Sequence, residues 1–387
     1  MAVGALFPRG FRAAGVTAGI KASGRPDVAL VVAERAVPAA AVFTRSATAA
    51  PPVLLSRAHA AGGAVRAVLV QSGNANAATG EQGMRDAERM AALVAEGVGC
   101  PVEQVLVAST GVIGVPLPMD RVAAGIADAV AALGDDDGAA AAEAIMTTDA
   151  APKTAERTVG EVRVGGMAKG AGMIRPDLGT MIAVVTTDAA LDATQCDVLL
   201  RAAVDATFNC ITVDGCTSTS DMVALLASGE AGPVDEAAIG EAIRGVCEDL
   251  ALQIVRDGEG AHRIARWEVT GATDDAAARR IAYAVAEAQL VRCALNGGDP
   301  NWGRIVAALG VAGENVSAER IAIAIGGHVV CRGGTAVDDV DQAAVDAAAA
   351  EPTVEIAIDL GLGDGRAVIW ASDLSKLYVE LNAEYTT

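Results

Sequence analysis

The amino-acid sequence predicts an α+β protein, a layered α/β sandwich, on three observations. Apolar runs rich in Val and Ile, bounded by Gly, Asn or Asp, indicate strands along the whole chain. Hairpin-like strand pairs are mixed with long helical patterns, so a regular alternation of strand and helix does not emerge. Hydrophobic residues make up 52% of the chain but aromatic residues only 3%, so small aliphatic side chains must fill the core.

The predicted elements follow from these patterns in chain order. The apolar runs predict strands at 28–34, 66–72, 105–108, 181–187, 264–270, 320–325, 329–331, 354–360 and 366–371. Small apolar residues at helical spacing, with charges on the other face, predict helices at 82–97, 120–133, 196–207, 235–255, 274–294 and 338–350. The alanine-rich stretch 135–144 is interpreted as a solvated loop or a helix start. A boundary near residue 272 predicts a smaller C-terminal α/β domain at 273–387.

Charge and composition exclude several classes of function. The formal net charge of -20 opposes binding to nucleic acid and to anionic membranes, because the long-range field repels both. We expect a cytoplasmic protein, since no signal-peptide core and no uninterrupted membrane-spanning run is visible. The 7 cysteines form no CxxC pair and the 3 histidines lack metal-ligand spacing. This predicts no metal site and no disulfide framework, with most cysteines buried as small hydrophobes.

The densest cluster of unusual residues is the segment 165–189, interpreted as a Gly-rich loop, then Gly179-Thr180, then a buried strand. This arrangement suits self-cleavage, because the Thr180 hydroxyl can attack the preceding carbonyl, and water then releases a chain beginning with Thr180. The new α-amino group, with an ordinary pKa of about 7.7–8.0, can act as the base for its own hydroxyl. From these residues alone, an ordinary loop-to-strand junction is the competing interpretation.

The segment resembles the processing site of the ornithine acetyltransferase family, the dual-capacity enzymes of arginine biosynthesis. The resemblance begins with the Lys-Gly-Ala-Gly-Met-Ile run at 169–174. Further similar blocks are GFRAAGVTAGIK at 10–21, AVFTR at 41–45, SGNANAATG at 72–80, STGVIG at 109–114, MTTD at 146–149, FNCITVDGCTSTSD at 208–221, DGEGAHR at 257–263, GDPNWGRI at 298–305 and NAEYTT at 382–387. Cys216 and Ser220 depart from the acidic residue and asparagine expected in many relatives.

The resemblance assigns roles to individual residues. Thr180 is the nucleophile, and Thr110 and Gly111 are oxyanion-hole donors, although STGVIG alone would indicate a helix-capping turn. The substrate-binding residues that it implies are Thr148 (with Thr147 as the alternative), Lys169, Thr180, Glu259, Asn382 and Thr387. SGNANAATG is interpreted as a structural turn near the active-site cleft. In GDPNWGRI, Trp302 is expected to pack beneath the site and Arg304 to order the loop.

The function that the resemblance implies is glutamate N-acetyltransferase, with N2-acetylornithine as acetyl donor and L-glutamate as acceptor. Cleavage would give an α chain (1–179) and a β chain (180–387), assembled as a heterotetramer of two α and two β chains. No metal or organic cofactor is implied; acetyl-CoA as a second donor, and a primary or secondary-metabolic pathway, stay open. Two alternatives also stay open: a self-processed amidohydrolase or aminopeptidase, and an uncleaved, non-enzymatic binding protein.

Overall fold

The computed structural model describes residues 3–175 and 181–384, which form two compact units. The first unit comprises the chain up to Asn209 and the segment Thr217–Ile254. The second comprises the segment Cys210–Cys216 and the chain from Val255 onward. The smaller domain predicted at 273–387 therefore falls within a unit that begins earlier in the chain.

The regular elements are numbered in chain order. They are β1 (Phe11–Val16), β2 (Val28–Phe43), α1 (Pro51–Ala60), β3 (Ala64–Asn74), α2 (Gly80–Val98), β4 (Val105–Val112), α3 (Met119–Ala131), α4 (Gly138–Ala144), β5 (Lys153–Val159), β6 (Val162–Lys169), β7 (Ile182–Ala189), α5 (Ala193–Ala206), β8 (Ile211–Thr212), β9 (Met222–Gly232), α6 (Glu236–Arg256), β10 (Ile264–Ala272), α7 (Asp275–Ala286), α8 (Gln289–Gly297), α9 (Trp302–Leu309), β11 (Ala322–Ile325), β12 (His328–Arg332), β13 (Thr335–Ala336), α10 (Gln342–Ala349), β14 (Thr353–Asp359), β15 (Gly365–Ser372) and α11 (Lys376–Glu384). The mixed α+β class predicted from the sequence is confirmed.

One sheet organises the first unit, in the order β4-β3-β2-β9-β7-β6-β5, with β1 also paired to β2. The first half of the long strand β2 pairs with β3, and its second half pairs with β9. Strand β7 lies parallel to β9 and antiparallel to β6, so that Ile182 is opposite both Met222 and Lys169. Strands from the two sides of residue 180 therefore interleave within one sheet.

Helices cover both faces of β1–β4. On one face, Met90 of α2 and Ile126 of α3 join a buried cluster with Leu30 and Leu69 of the sheet. On the other face, α4 packs on β1 and β2 through its buried alanines. Each fully buried large aliphatic side chain contributes roughly 1.5–3 kcal/mol to this packing.

The glycines of the segment 165–189 have a different role from the one that we predicted. Gly165 and Gly166 lie in β6 rather than in a Gly-rich loop. A Cβ atom on Gly165 would lie 2.0 Å from the carbonyl oxygen of Gly4, and one on Gly166 would lie 3.0 Å from Leu250 Cδ1. Glycine is therefore needed here because backbone and helix α6 approach β6 closely, and not because the chain is a loop.

The stretch 135–144 contains a helix start, one of the two interpretations given for it, because α4 begins at Gly138 and buries Ala141 and Ala144. The helix predicted at 274–294 is two helices, since Ala288 is extended (φ -63°, ψ 119°) between α7 and α8. The side chain of Glu287 in this break accepts a hydrogen bond of 3.1 Å from Thr212 Oγ1. No Gly or Pro marks the break in the sequence.

The second unit contains the other sheet, in the order β13-β12-β11-β14-β10-β15-β8. Its core includes the fully buried Trp267 of β10, packed with Ile281 of α7 and Ile356 of β14. Trp302 is half-buried and packs against this same core. Arg304 donates a hydrogen bond of 2.8 Å to the carbonyl oxygen of Leu290, which ties α9 to α8.

Candidate active site

The predicted break lies on the approach to β7. Gly179 and Thr180 fall outside the described residues, as does Thr387. Met181, the first described residue after them, accepts a hydrogen bond of 3.0 Å from the backbone N–H of Met222 through its carbonyl oxygen. The end of β6, the start of β7 and the start of β9 therefore lie side by side. The side of the sheet formed by these strand ends is called the sheet edge below.

Lys169 and Thr110 are brought together at this edge. Lys169 is the last residue of β6, and its Nζ donates a hydrogen bond of 3.2 Å to Thr110 Oγ1. Each residue is only 8% exposed. Thr110 accepts this hydrogen bond through its oxygen, so its own hydroxyl hydrogen is available for donation. The pair can present a cation and a hydroxyl donor to the same negative charge.

Gly111 follows Thr110 within β4, so the first four residues of STGVIG are strand rather than the helix-capping turn that the letters alone suggest. Gly111 pairs with Gly73, and both have positive φ angles, of 131° and 105°. A Cβ atom on Gly111 would lie 2.4 Å from the carbonyl carbon of Gly73. Only glycine allows this approach and this backbone conformation.

The block SGNANAATG at 72–80 holds the same strand end. Its first residues belong to β3, and the backbone N–H of Ala75 donates to the carbonyl oxygen of Val112 at 2.9 Å. Asn74 Oδ1 accepts from the backbone N–H of Asn76 at 2.8 Å. The loop thus shapes the strand end that carries Thr110, in agreement with a structural turn.

Asp149 is an important residue that the sequence analysis did not single out. Its buried carboxylate accepts from Lys153 Nζ at 2.7 Å and from the backbone N–H of Gly170 at 2.6 Å. Burial alone would raise its pKa, but the positive charges of Lys169 and Lys153 lower the pKa to about 2. Asp149 therefore stays charged and links the segment after Lys169 to the MTTD block.

The two threonines of MTTD have different surroundings. Thr147 donates its backbone N–H to Asp149 Oδ2 at 2.9 Å, and so helps to fix the carboxylate. Thr148 lies beside Asp149 and is half-buried. This assigns a structural contact to the Thr147 backbone, while the side chains of Thr148 and of its alternative Thr147 both stay open as the predicted substrate contact.

Asp221 is a second buried carboxyl group at the same sheet edge. It directly precedes β9 and is 2% exposed. Burial raises its pKa well above the ordinary value, although hydrogen bonds with Ser218 and Thr44 and the charge of Lys169 act in the opposite direction. Among the described residues, its Oδ2 atom has no hydrogen-bond partner. Nothing in the sequence indicates this burial, because Asp221 ends a polar, loop-like run.

The second unit brings Glu259 and Asn382 together. Glu259 lies between α6 and β10, as expected, and its Oε2 accepts a hydrogen bond of 2.8 Å from Asn382 Nδ2 on α11. Asn382 also donates to the carbonyl oxygen of Tyr378 at 3.0 Å. Burial and the nearby negative charges of Asp214, Cys216 and Glu259 raise the pKa of Tyr378 to about 12. Two of the predicted substrate-binding residues are therefore direct neighbours.

Cysteine burial differs from the prediction. Cys196, Cys247 and Cys331 are buried, whereas Cys216 and Cys293 are exposed and the other two are intermediate. The expectation that most are buried is therefore wrong, because several occupy loops and helix surfaces. Residues 3–175 and 181–384 contain no group of three or more His, Cys, Asp and Glu side chains arranged to hold a metal ion. Within the same ranges, no helix is long and apolar enough to cross a membrane.

A family model and full-length relatives match this chain over nearly its whole length, and solved structures match about half of it. The ArgJ family model matches residues 12–387. The arginine biosynthesis bifunctional protein ArgJ of Synechococcus sp. is 46% identical, over 99% of this chain and 97% of its own length. A solved ArgJ structure from Bacillus halodurans is 40% identical with a TM-score of 0.50, and covers 52% of this chain and 98% of the solved chain. A solved ornithine acetyltransferase from Mycobacterium tuberculosis, complexed with ornithine, is 44% identical with a TM-score of 0.43, and covers 46% of this chain and 96% of its own.

The family match and the full-length relative agree with the resemblance carried by the sequence blocks. With both covering almost every residue, the chain belongs to the ArgJ family.

Proposed function

We propose that this chain is a glutamate N-acetyltransferase, which moves an acetyl group from N2-acetylornithine to L-glutamate through an acetyl-Thr180 intermediate. The observation that carries the proposal is the buried Lys169–Thr110 hydrogen bond, next to Gly111 and at the sheet edge from which β7 starts. The relative at 46% identity, named a bifunctional protein of arginine biosynthesis, supports the same pathway. We further propose that the enzyme works in the cytoplasm.

The proposed enzyme first breaks its own chain between Gly179 and Thr180. The size of the solved Bacillus halodurans chain supports this, because 98% of that chain accounts for only 52% of this one. A break near residue 180 would give two products, each about half of this chain. Since β9 and β7 pair with β2 and β6, the two products would stay joined by the sheet. Separation therefore requires denaturing conditions.

The first half of the proposed reaction forms the acetyl-enzyme. The Thr180 oxygen attacks the acetyl carbonyl carbon of N2-acetylornithine while the α-amino group of Thr180 takes the hydroxyl proton. The Thr110 hydroxyl and the Gly111 backbone N–H stabilise the negative oxygen that forms. The carbon–nitrogen bond then breaks, the proton passes to the leaving amine, and ornithine departs.

The second half reverses these steps with a different amine. The α-amine of L-glutamate attacks the acetyl ester, its proton returns through the Thr180 amine to the threonine oxygen, and N-acetylglutamate leaves. Neither half needs a metal or an organic cofactor, because the covalent carrier is the protein itself. Acetyl-CoA is the second donor to be tested, since the relatives are named bifunctional.

The remaining predicted residues bind substrate in this proposal. Lys169 contacts a carboxylate or supports the transition state, and Thr148 is a further contact on the same unit. Glu259 pairs with the ammonium group of the substrate, beside Asn382. Thr387 is the last of the proposed substrate contacts.

The test of the proposal is a denaturing gel with N-terminal sequencing of the purified protein and of Thr180→Ala. We expect two bands for the natural chain, one of them starting Thr-Met-Ile-Ala, and one band for the variant. Mass spectrometry after incubation with N2-acetylornithine should find one added acetyl group on the chain that begins with Thr180. Size-exclusion chromatography with light scattering should find two copies of each product in one assembly.

Each alternative predicts a different result. Acetyl release to water at the same rate with and without L-glutamate would identify a hydrolase instead. A single uncleaved chain that gains no acetyl group would identify a binding protein and contradict the proposed function. Lys169→Met should still be cleaved but turn over slowly; full activity in that variant would remove Lys169 from the mechanism.

A further inference from the structure

Lys21, at the end of the block GFRAAGVTAGIK, is a half-buried lysine close to the Thr110–Gly111 strand end. Its Nζ donates hydrogen bonds to the carbonyl oxygens of Pro26 at 2.6 Å and Ala144 at 3.3 Å. Both acceptors are neutral, and the nearby carboxylate of Asp27 accepts a hydrogen bond of 3.0 Å from the backbone N–H of Lys21 rather than from its ammonium group. Among the described ion pairs, none involves Lys21. Its function is therefore not explained by a salt bridge.

Packing connects Lys21 to Gly111. A Cβ atom on Gly73 would lie 3.0 Å from Lys21 Cγ, so the stem of the lysine lies directly over Gly73. On its neighbouring strand, Gly73 pairs with Gly111 in close backbone contact. A change in the Lys21 stem would therefore reach Gly111 through a single intervening residue.

Hydrogen bonds connect Lys21 by a separate route to Ser72, the neighbour of Thr110 on the next strand. The carbonyl oxygen of Ala144 accepts from Lys21 Nζ and also from Ser72 Oγ, the latter at 2.5 Å. Ser72 is the register partner of Thr110 in β3 and β4, so the two side chains lie on the same face of the sheet. The first route reaches Gly111 through Gly73, and the second reaches Ser72, beside Thr110.

We propose that Lys21 is a positioning residue for the acetyl transfer, holding a positive charge behind Thr110 and Gly111 that favours the oxyanion over the neutral substrate. The inference rests on the proposed function, because it requires an oxyanion at those two residues. Lys21 acts through their placement and through its field, without touching the substrate. Interactions that strengthen as charge develops raise kcat more than they lower KM.

The surroundings of Lys21 set the pH range over which this charge is present. Its pKa is lowered to about 8, mainly by burial; the negative charges of Asp27 and Asp149 act to raise it, and the positive charges of Arg25 and Lys169 act with burial. The ammonium is therefore charged below about pH 8 and neutral above it. The Thr180 amine must lose its proton over a similar range, so we expect kcat to rise and then fall with pH.

The experiment compares Lys21→Met and Lys21→Arg with the natural chain, using acetyl transfer from N2-acetylornithine to L-glutamate from pH 6 to about 10. Rates are expressed per chain that begins with Thr180, so that differences in cleavage do not enter. Lys21→Met should lower kcat about tenfold at pH 7, with KM for the donor nearly unchanged. Lys21→Arg should keep most of kcat and lose the fall at high pH, because arginine stays charged. Arg89→Met, which removes an exposed cation from the same unit, should match the natural chain.

The outcomes separate this inference from the proposed function. A Lys21→Met enzyme as fast as the natural chain would overturn the role of Lys21 and leave the acetyltransferase proposal intact. Equal losses in the Met and Arg variants, or a fall at high pH that survives in Lys21→Arg, would also overturn it, because packing alone would then explain the effect. A natural chain that forms no acetyl-Thr180 would remove both proposals together.

Discussion

Two groups of predicted substrate-binding residues lie in very different surroundings. In the first unit, Lys169 is 8% exposed and shares its electrostatic environment with the buried Asp149–Lys153 pair. In the second unit, the hydrogen bond between Glu259 and Asn382 is exposed to solvent. We therefore expect substitutions in the first group to lower the free energy of unfolding, and substitutions in the second group to change it little. Because of this difference, variants of the first group are expected to change both stability and activity, and variants of the second group to change activity alone.

The physical reason is desolvation. A charge removed from water must be compensated by a partner, so each buried charge in the first unit depends on the others. An exposed pair is compensated by water whenever its partner is lost, and it contributes at most about 1 kcal/mol. Variants of the first group should therefore couple stability to activity, and variants of the second group should separate them.

The largest expected effect is on the stability of Lys153→Met. Lys153 Nζ lies 2.7 Å from Asp149 Oδ1, and the two side chains are 2% and 0% exposed. Removing the cation leaves a buried carboxylate without its closest charge partner, so we expect a loss of about 3–5 kcal/mol of unfolding free energy. Urea denaturation followed by circular dichroism measures it.

The control for this variant is an exposed ion pair in the same unit. Arg201→Met removes the bond from Arg201 Nε to Asp197 Oδ2, whose side chains are 55% and 44% exposed. We expect a change of no more than about 1 kcal/mol. If Lys153→Met lowered the unfolding free energy by no more than Arg201→Met, burial would not explain the difference expected between the two groups.

The second effect concerns the strand end next to the buried group. Gly111→Ala would place a Cβ atom 2.4 Å from backbone carbon and require φ near 131°. We expect β4 to shift against β3 and acetyl transfer to fall about 10²–10³-fold, the size typical of losing one oxyanion donor. Steady-state kinetics measures the loss. Gly297→Ala, where nothing lies within 4 Å of the new atom, should leave the rate unchanged.

The strands of this site were partly predictable from sequence. Val- and Ile-rich runs correctly predicted β3, β4 and β7, because these strands are buried and their composition shows it. Strand β6 was missed, since the glycines that suggest a loop are required by close packing against Gly4 and α6. The hydrophobic pattern indicates which residues of a strand are buried. It does not indicate which other element packs against that strand.

The site residues show the same limit. Family blocks drew attention to Thr110 and Lys169, and the structure joins the two by a hydrogen bond that spans 59 positions of sequence. Asp149 is the last residue of the block MTTD and Lys21 the last residue of GFRAAGVTAGIK, and nothing in either block distinguishes them. Their importance comes from charges and carbonyl oxygens that are neighbours only after folding, so local spacing does not reveal it.

The smallest expected effect lies in the exposed group and completes the comparison. Glu259→Gln keeps the side-chain shape but removes the charge proposed to bind the substrate ammonium, so KM for N2-acetylornithine should rise about tenfold. Unfolding free energy should change by less than about 0.5 kcal/mol, because the side chain is solvated. The rise in KM should also be smaller at high salt, which screens exposed charges. Glu380→Gln on α11 makes the same charge change without the contact to Asn382, and should leave KM unaltered. An equal rise in both variants would mean that the general field of the acidic chain, rather than Glu259 itself, attracts the substrate.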